Sequence, residues 1–254
     1  EHWKDCTKLY RDSYGRIADA EYGEKTPHTF DNTGVCTQCG YQKELTAQDG
    51  VYLIYDLADL WLFAAKVNGD EPSANARLMA DIDFESQSWT PMGSAAKPYT
   101  GTFDGNGKAL TGFRTSATEN NTGLFGVVNG GTVKNFSLDG GIIVNTADKI
   151  HIGSVAGAAK GGAVFSGIES SVAITGNAVV AKHVGGIVGS SQFGSGELLL
   201  EKCTFSGNIS VQRSDDCIGG ILGYANYGVT IRDCASAGQV SGKPGALHVG
   251  GILG

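Results

Sequence analysis

The chain has 254 residues, a net charge of −7 and 39 glycines, a glycine content of about 15% against an ordinary value near 7%. Hydrophobic residues make up 41% and charged residues 18%, which excludes a disordered polyelectrolyte. A pI of 5.2 without a Lys/Arg cluster argues against a nucleic-acid partner. No apolar run is long enough for a membrane-spanning helix, so we expect no direct membrane insertion.

The first predicted unit, residues 1–46, is a small Cys/His module. Cys36 and Cys39 are separated by two residues and followed by glycine, the spacing with which one turn presents two thiolates to a tetrahedral zinc ion. His28 lies eight residues earlier and can supply a third ligand. The predicted metal ligands are Cys6, His28, Cys36 and Cys39, with His2 as the alternative fourth ligand.

Two interpretations of these cysteines stay open. A secreted chain could instead join Cys6 to Cys36 or Cys39 in a disulfide. If zinc is bound, we expect it to be structural, because so short and polar a segment has little core. The sequence has no His-Glu-x-x-His motif for catalytic zinc. The module resembles short His/Cys modules of clostridial surface proteins, although those often carry a second cysteine soon after the first.

The second predicted unit, residues 47–122, forms an N-terminal cap and the first coils of the structure that follows. Four apolar residues recur at helical spacing, and Asp56 precedes them as a candidate N-cap. Asn68 and Gly69 are expected to end this helix. Further along, residues 103–107 (Phe-Asp-Gly-Asn-Gly) predict a tight turn between two strands. The apolar positions of the helix are Leu57, Leu60, Ala64 and Val67.

The third predicted unit, residues 123–254, is a repeat. A short phrase ends in glycine at intervals of 31, 32, 34 and 31 residues, and apolar residues recur between the phrases. Coils this short cannot enclose a core alone, but they can bury apolar columns when stacked at about 4.8 Å. The sequence therefore predicts an all-β, parallel β-solenoid. The closing glycines are Gly126, Gly157, Gly189, Gly223 and Gly254, and the apolar columns are Val133/Phe165/Leu200/Ile231, Phe136/Ile168/Cys203/Cys234 and Ile142/Ile174/Ile209/Val240.

The phrases at residues 185–189 (Gly-Gly-Ile-Val-Gly) and 219–223 (Gly-Gly-Ile-Leu-Gly) resemble the GLUG-type repeat of bacterial surface proteins. That family includes adhesins and the non-catalytic part of some IgA-cleaving metallopeptidases. The motifs at residues 56–60, 78–83, 89–93 and 101–107 resemble the segment that leads into such repeats in secreted Gram-positive and gut-bacterial proteins. The resemblance covers about residues 50–254 and implies a right-handed β-helix at the cell surface.

One repeat position carries mostly histidine. Stacked side chains there would form either a transition-metal or pH-sensing stripe, or a column pointing outward or into a corner. The coil spacing of about 4.8 Å exceeds what a shared ion requires unless the side chains converge, which favours the structural interpretation. The residues of this column are His151, His183, Cys217 and His248.

Two further cysteines fall in an apolar column. Cys203 and Cys234 share their repeat position with Phe136 and Ile168. Free cysteine behaves as a small hydrophobic residue in such a position. We therefore expect two packed thiols rather than a disulfide.

No catalytic residue is predicted. The acidic residues of the repeats share no column, so paired carboxylates are not expected, and no Gly-x-Ser-x-Gly motif occurs. The sequence favours a non-catalytic, secreted or cell-surface bacterial module with an adhesin-like binding or scaffold role. Its ligand would be a host glycan or protein. The alternatives are a carbohydrate-active β-helix enzyme and a spacer for a neighbouring peptidase domain. Because the repeat stops at Gly254, we expect a piece of a longer multidomain chain.

Overall fold

The computed structural model describes residues 6–7, 25–85, 87–117, 120–144, 149–176, 181–192, 194–211, 217–242 and 248–254. Most of these residues form an all-β, parallel β-solenoid of about five turns, with one helix near its N-terminal end. The predicted fold class is confirmed.

The N-terminal elements comprise an antiparallel strand pair, a short hairpin, the helix and two further strands. Only the backbone is described for the first pair. Their bounds are β1 Cys6–Thr7, β2 Lys25–Thr26, β3 Ala47–Gln48, β4 Val51–Ile54, α1 Leu57–Asn68, β5 Asn75–Leu78 and β6 Ile82–Asp83.

The remaining strands make up the coils, in chain order. They are β7 Thr102–Ser116, β8 Asn121–Thr122, β9 Phe125–Asn129, β10 Thr132–Val144, β11 Lys149–Gly153, β12 Ala156–Lys160, β13 Val164–Ser170, β14 Ala173–Gly176, β15 Ala181–Gly185, β16 Val188–Ser191, β17 Leu198–Glu201, β18 Thr204–Phe205, β19 Ile209–Val211, β20 Cys217–Gly219, β21 Leu222–Ala225, β22 Val229–Arg232, β23 Ala235–Ser236, β24 Val240–Gly242 and β25 His248–Gly250.

Each coil crosses three sheets in the same order. The main sheet has 14 strands and runs from β3 at one end to β22 and β24 at the other. The histidine sheet consists of β8, β11, β15, β20 and β25. The narrow sheet consists of β9, β12, β16 and β21. The pairing of successive coils is parallel throughout all three sheets, as expected when every connection passes once around the solenoid.

The predicted apolar columns are confirmed by the register of the main sheet. Phe165 pairs with Val133 below and Leu200 above, and both neighbours are fully buried. Ile174 pairs in the same way with Ile142 and Ile209. Because the register holds from coil to coil, one continuous core runs along the axis, and each apolar side chain covers the equivalent side chain of the next coil.

The helix begins and ends where the sequence predicts. Asp56 is the N-cap and its Oδ1 accepts a hydrogen bond from the Asp59 N–H at 2.9 Å. The Gly69 N–H donates to two carbonyls of the last turn. Phe63 is fully buried, with its ring 6.4 Å from that of Tyr99 and 6.2 Å from that of Phe103. The helix thus covers the end of the core, where a bare coil would expose apolar columns.

The predicted tight turn at residues 103–107 is wrong. These residues lie inside β7, where three residues separate Asp104 from Lys108 but only one separates their partners in β10. The extra two residues form a bulge, with Asn106 at φ 52° and Gly107 at φ 71°. Pairing with β10 continues on both sides, so the chain bends here without leaving the sheet.

The repeated glycines permit close approach between coils. A Cβ added to Gly186 would lie 2.0 Å from the carbonyl oxygen of Gly220 and 2.4 Å from Cγ of the Phe205 ring. A Cβ on the equivalent Gly251, in the last coil, would meet nothing within 4 Å. At Gly186, the neighbouring coil and the Phe205 ring therefore leave no room for a side chain.

The two cysteines of the apolar column are thiols, as predicted. Cys203 is buried and its Sγ lies 3.6 Å from the carbonyl oxygen of Phe165 and 3.4 Å from that of Glu201. Burial is the main cause that raises the pKa of the Cys203 thiol to about 12. Cys234, on the next coil, is half-buried.

Candidate metal centre

The local fold of the Cys/His module starts with an aspartate turn. Asp31 Oδ1 accepts hydrogen bonds from the backbone N–H groups of Thr33 at 2.8 Å and Val35 at 3.1 Å. Such side-chain acceptance replaces the bonds of a backbone turn. The chain reverses here, and Phe30 then forms an antiparallel bridge with Cys36. This reversal brings His28 back alongside the two cysteines.

The second turn orients the thiols. The Gly40 N–H donates to the carbonyl of Cys36 at 2.8 Å, and Gly40 has φ 73°, which only glycine adopts readily. The Cys36 N–H donates to the carbonyl of Tyr41 at 2.8 Å. The turn from Cys36 to Gly40 therefore places both thiols on one side.

Three of the predicted ligands meet in space. The ligand atoms of His28, Cys36 and Cys39 all lie within 4.8 Å of one another, and His28 Nδ1 is 3.4 Å from Cys39 Sγ. Tetrahedral zinc, with bonds of about 2.3 Å to sulfur and 2.0 Å to nitrogen, holds sulfur and nitrogen about 3.5 Å apart. The separation between His28 and Cys39 fits this value. The His28 ring is stacked on Tyr41 at 5.0 Å, which holds its orientation.

The electrostatics favour a thiolate at this site. Burial raises the pKa of Cys36, but hydrogen bonds from the His28 side chain and from the backbone at Gln38 and Cys39 outweigh it and lower the pKa to about 6. The thiolate is the form that binds metals. At neutral pH, Cys36 is therefore in its ligand form.

The fourth ligand stays a prediction. Cys6 lies in β1 and its backbone is paired with Thr26, two residues before His28. Its side chain lies outside the described residues, and so does the whole of His2. Cys36 and Cys39 are thiols in the structure. The pairing places the Cys6 backbone beside the segment that leads into His28.

The module is tied to the solenoid cap through Lys43, which the sequence did not single out. Lys43 Nζ lies 2.5 Å from Asp56 and 2.8 Å from Asp59, the residues that open α1. The same ammonium stands 5.3 Å from the centre of the Phe30 ring. Lys43 thus links the module to the first turn of the helix.

The histidine column is also in register. His151 pairs with His183, His183 with Cys217, and Cys217 with His248. The side chains of the first two converge, with the Nδ1 atoms 2.9 Å apart. Burial, and then the positive charges of His183 and Lys182, lower the pKa of His151 to about 4. The coil spacing alone does not indicate this convergence.

Asn121 extends the histidine column by one coil, since it pairs with His151. Alignment of the repeats within the sequence does not reveal it, because the coil that contains Asn121 is one residue shorter at this point. Four residues separate Asn121 from Gly126, whereas five separate His151 from Gly157. An alignment of the repeats that allows a one-residue gap before the closing glycine phrase would place Asn121 in the column.

Three carboxylates in the first part of the solenoid bind backbone N–H groups or a cation. Asp81 accepts a hydrogen bond from the Ala109 N–H of β7 at 2.9 Å, and Asp83 accepts one from the Glu85 N–H at 2.8 Å. Asp104 is paired with Arg77 at 3.3 Å. These contacts give each carboxylate a structural role.

Comparisons with known proteins give two likenesses. No protein-family model matches the chain. Over 82 residues it is 37% identical to a "Putative Gly-rich membrane protein" of Evansella cellulosilytica; the match covers 32% of this chain and 10% of that protein. The crystal structure of a "putative immunoglobulin A1 protease" from Bacteroides ovatus superposes with a TM-score of 0.60 and 21% identity, over 84% of this chain and 74% of the other.

The two similarities cover different shares of the proteins. The structural likeness shows a shared fold over most of the chain, and the sequence likeness is limited to about a tenth of the relative's length. Within the described part of this chain, no helix is long and apolar enough to span a membrane.

Proposed function

We propose that this chain is a non-catalytic module of a secreted or cell-surface bacterial protein, with an adhesin-like binding or scaffold role. The observation that supports this most directly is the continuous solenoid core, which makes a rigid body with long outward faces. The fold is shared with a Bacteroides ovatus protein over 84% of this chain. The relative described as a membrane protein is consistent with an envelope location.

The outward faces are themselves ordered by contacts between coils. Arg232 and Glu201 form an ion pair at 3.0 Å on adjacent strands of the main sheet. Thr230 donates a hydrogen bond to Glu197 of the coil before it. Side chains held in this way present a fixed pattern of charges and hydroxyls, which suits recognition of an extended ligand.

Binding and spacing roles can be separated by experiment. The purified chain is applied to glycan arrays and to host extracellular-matrix and mucin proteins. Selective binding to one class of ligand supports the binding role, and absence of binding to all of them supports a pure spacer. Exposed Tyr227 and the stacked Tyr224 supply the aromatic surface for a sugar ring. A Tyr227→Ala variant should weaken glycan binding if this surface is used.

A peptidase role is the second candidate, because the structural neighbour carries that description. The test is incubation of immunoglobulin A1 with the purified chain, followed by electrophoresis. We expect intact heavy chain. Cleavage activity that persists after extensive purification would overturn the non-catalytic assignment. Release of sugars from a polysaccharide would overturn it too, and would favour the carbohydrate-active alternative.

We infer further that the Cys/His module holds one structural zinc ion. The donors are His28, Cys36 and Cys39, with Cys6 as the fourth ligand and His2 as its alternative. Two thiolates and an imidazole favour zinc over hard cations such as Mg²⁺. The ion would contribute much of the module's folding free energy, because few apolar residues are buried there.

Elemental analysis of the purified chain tests the zinc assignment. We expect one zinc per chain, lost in Cys39→Ser and kept in the matched control Cys234→Ser, whose thiol lies in the repeats. Cys6→Ser and His2→Gln decide the fourth ligand, since only the true ligand should release the ion on substitution. A metal-free chain with Cys6 in a disulfide would overturn the assignment.

A further inference from the structure

Two histidines from successive coils converge on one point of the histidine sheet. His151 and His183 are direct partners in the parallel register of β11 and β15. Their rings are stacked at 4.9 Å between centres and tilted by 22°, with the Nδ1 atoms 2.9 Å apart. Two imidazole nitrogens therefore face one another across the gap between coils.

The surroundings hold this arrangement in place. Tyr224, from the narrow sheet, is stacked on His183 with ring centres 4.3 Å apart and planes within 13°. The residues after the two histidines, Ile152 and Val184, are also paired and are fully buried in the core. Since backbone register and ring stacking both fix His183, little conformational freedom is left to lose on binding a ligand.

The distance between the nitrogens matches a particular coordination geometry. With metal–nitrogen bonds of about 2.0–2.1 Å, two nitrogen ligands lie about 2.9 Å apart at an angle of about 90° and about 3.3 Å apart at the tetrahedral angle. The observed 2.9 Å corresponds to adjacent ligands at about 90°. Square-planar or tetragonal sites of this kind suit Ni²⁺ and Cu²⁺.

The column offers a further polar atom on the coil below. Asn121 pairs with His151, and its Oδ1 is buried with no hydrogen-bond partner among the described residues. A buried acceptor of this kind is unusual in a native structure. Lys182 is exposed and adjacent in sequence to His183, so its side chain starts toward the opposite face, but its positive charge still acts on His151.

We propose that His151 and His183 form a bidentate site for a divalent transition-metal ion, Ni²⁺ or Cu²⁺, bound through both Nδ1 atoms. In the metal-free pair, one Nδ1 carries the proton of the hydrogen bond. On binding, Nδ1 of that ring loses its proton to solvent and Nε2 of the same ring takes one up, so both rings stay neutral and both Nδ1 lone pairs face the ion. Water fills the remaining coordination positions.

Calorimetric titration of the full chain with Ni²⁺ tests the proposal, after saturation with zinc so that the N-terminal ligands are occupied. Ni²⁺ is chosen because it does not oxidise thiols. We expect one equivalent to bind. His151→Gln and His183→Gln should each weaken binding by at least about tenfold, since even outer-shell changes cost that much. His248→Gln, in the same column but exposed, should retain binding.

A Cys36→Ser/Cys39→Ser chain must bind Ni²⁺ equally, which separates this site from the zinc assignment. A second readout needs no substitution. In chain with ¹⁵N-labelled histidine rings, Ni²⁺ should broaden the signals of His151 and His183 and spare that of His248. Absence of binding, equal loss in the His248 variant, or broadening centred on other histidines would overturn the proposal.

Discussion

Replacing Gly186 by alanine should destabilise the solenoid severely, although only one methyl group is added. Ordinary contact begins near 3.4 Å, whereas the new Cβ would lie 2.0 Å from the Gly220 carbonyl oxygen, a shortfall of 1.4 Å. The Phe205 ring, 2.4 Å away, is buried and cannot swing aside. The coils would have to separate at this point. Gly186 has no positive φ, so the cost is steric and not conformational.

The magnitude follows from two contributions. Overpacking of a well-packed interior costs about 1–3 kcal/mol. Separating the coils also strains the hydrogen bonds from Gly186 N–H to the Gly219 carbonyl at 3.1 Å and from Ile187 N–H to the Ile221 carbonyl at 3.0 Å. At about 1 kcal/mol each, these add about 1–2 kcal/mol. The free energy of unfolding should therefore fall by about 2–5 kcal/mol.

Urea unfolding followed by circular dichroism measures this change. Gly251→Ala is the matched control, because the same motif position in the last coil has open space. It should alter stability by no more than about 0.5 kcal/mol. If Gly186→Ala is equally neutral, close approach does not explain the glycine column. If Gly251→Ala is equally costly, the cause is not the neighbouring coil.

Three other predictions concern single residues. Asp56→Ala should lower the free energy of unfolding by about 1 kcal/mol, through loss of the helix cap and of the exposed ion pair with Lys43, and a thermal melt should shift downward. The same melt of the Asp70→Ala control, at an exposed position, should be unchanged. Iodoacetamide should label Cys234 in the native chain but Cys203 only after unfolding, because Cys203 is buried and its thiol has a raised pKa; equal rates detected by mass spectrometry would contradict this. The pKa of His151 is lowered in the fold, so the unfolded chain binds more protons between pH 6.5 and about 4. Stability in metal-free buffer should thus be full above pH 6.5 and fall through that window by up to about 3 kcal/mol, less in His151→Gln; identical pH profiles for the two chains would refute this.

The solenoid could be predicted because its determinants recur along the chain. Val133, Phe165 and Leu200 occupy one column only if the coils stack in parallel register, so a periodic sequence constrains the fold directly. Asp56 and Gly69 mark the helix through local chemistry that needs no knowledge of the fold.

The bulge in β7 and the convergence of two histidines could not be predicted in this way. Asn106 and Gly107 have the composition of a turn, and only pairing with β10 on both sides shows that they remain within the sheet. The contact between His151 and His183 depends on side-chain torsions, which a repeat period does not contain. For the metal centre, the Cys36–Cys39 spacing predicted two ligands, and the Asp31 turn supplied the path that returns His28 to them.

The helix that closes one end of the core gives assembly a direction. Its buried face provides an apolar surface on which the first coil can pack, and Phe63 contacts Tyr99 and Phe103 there. Every later coil then finds its template in the coil made just before it. Since a ribosome delivers the chain from the N-terminus, each coil can be laid down in the order in which its neighbour becomes available. Without the helix, the first coil would expose its strand edges to pairing with other chains.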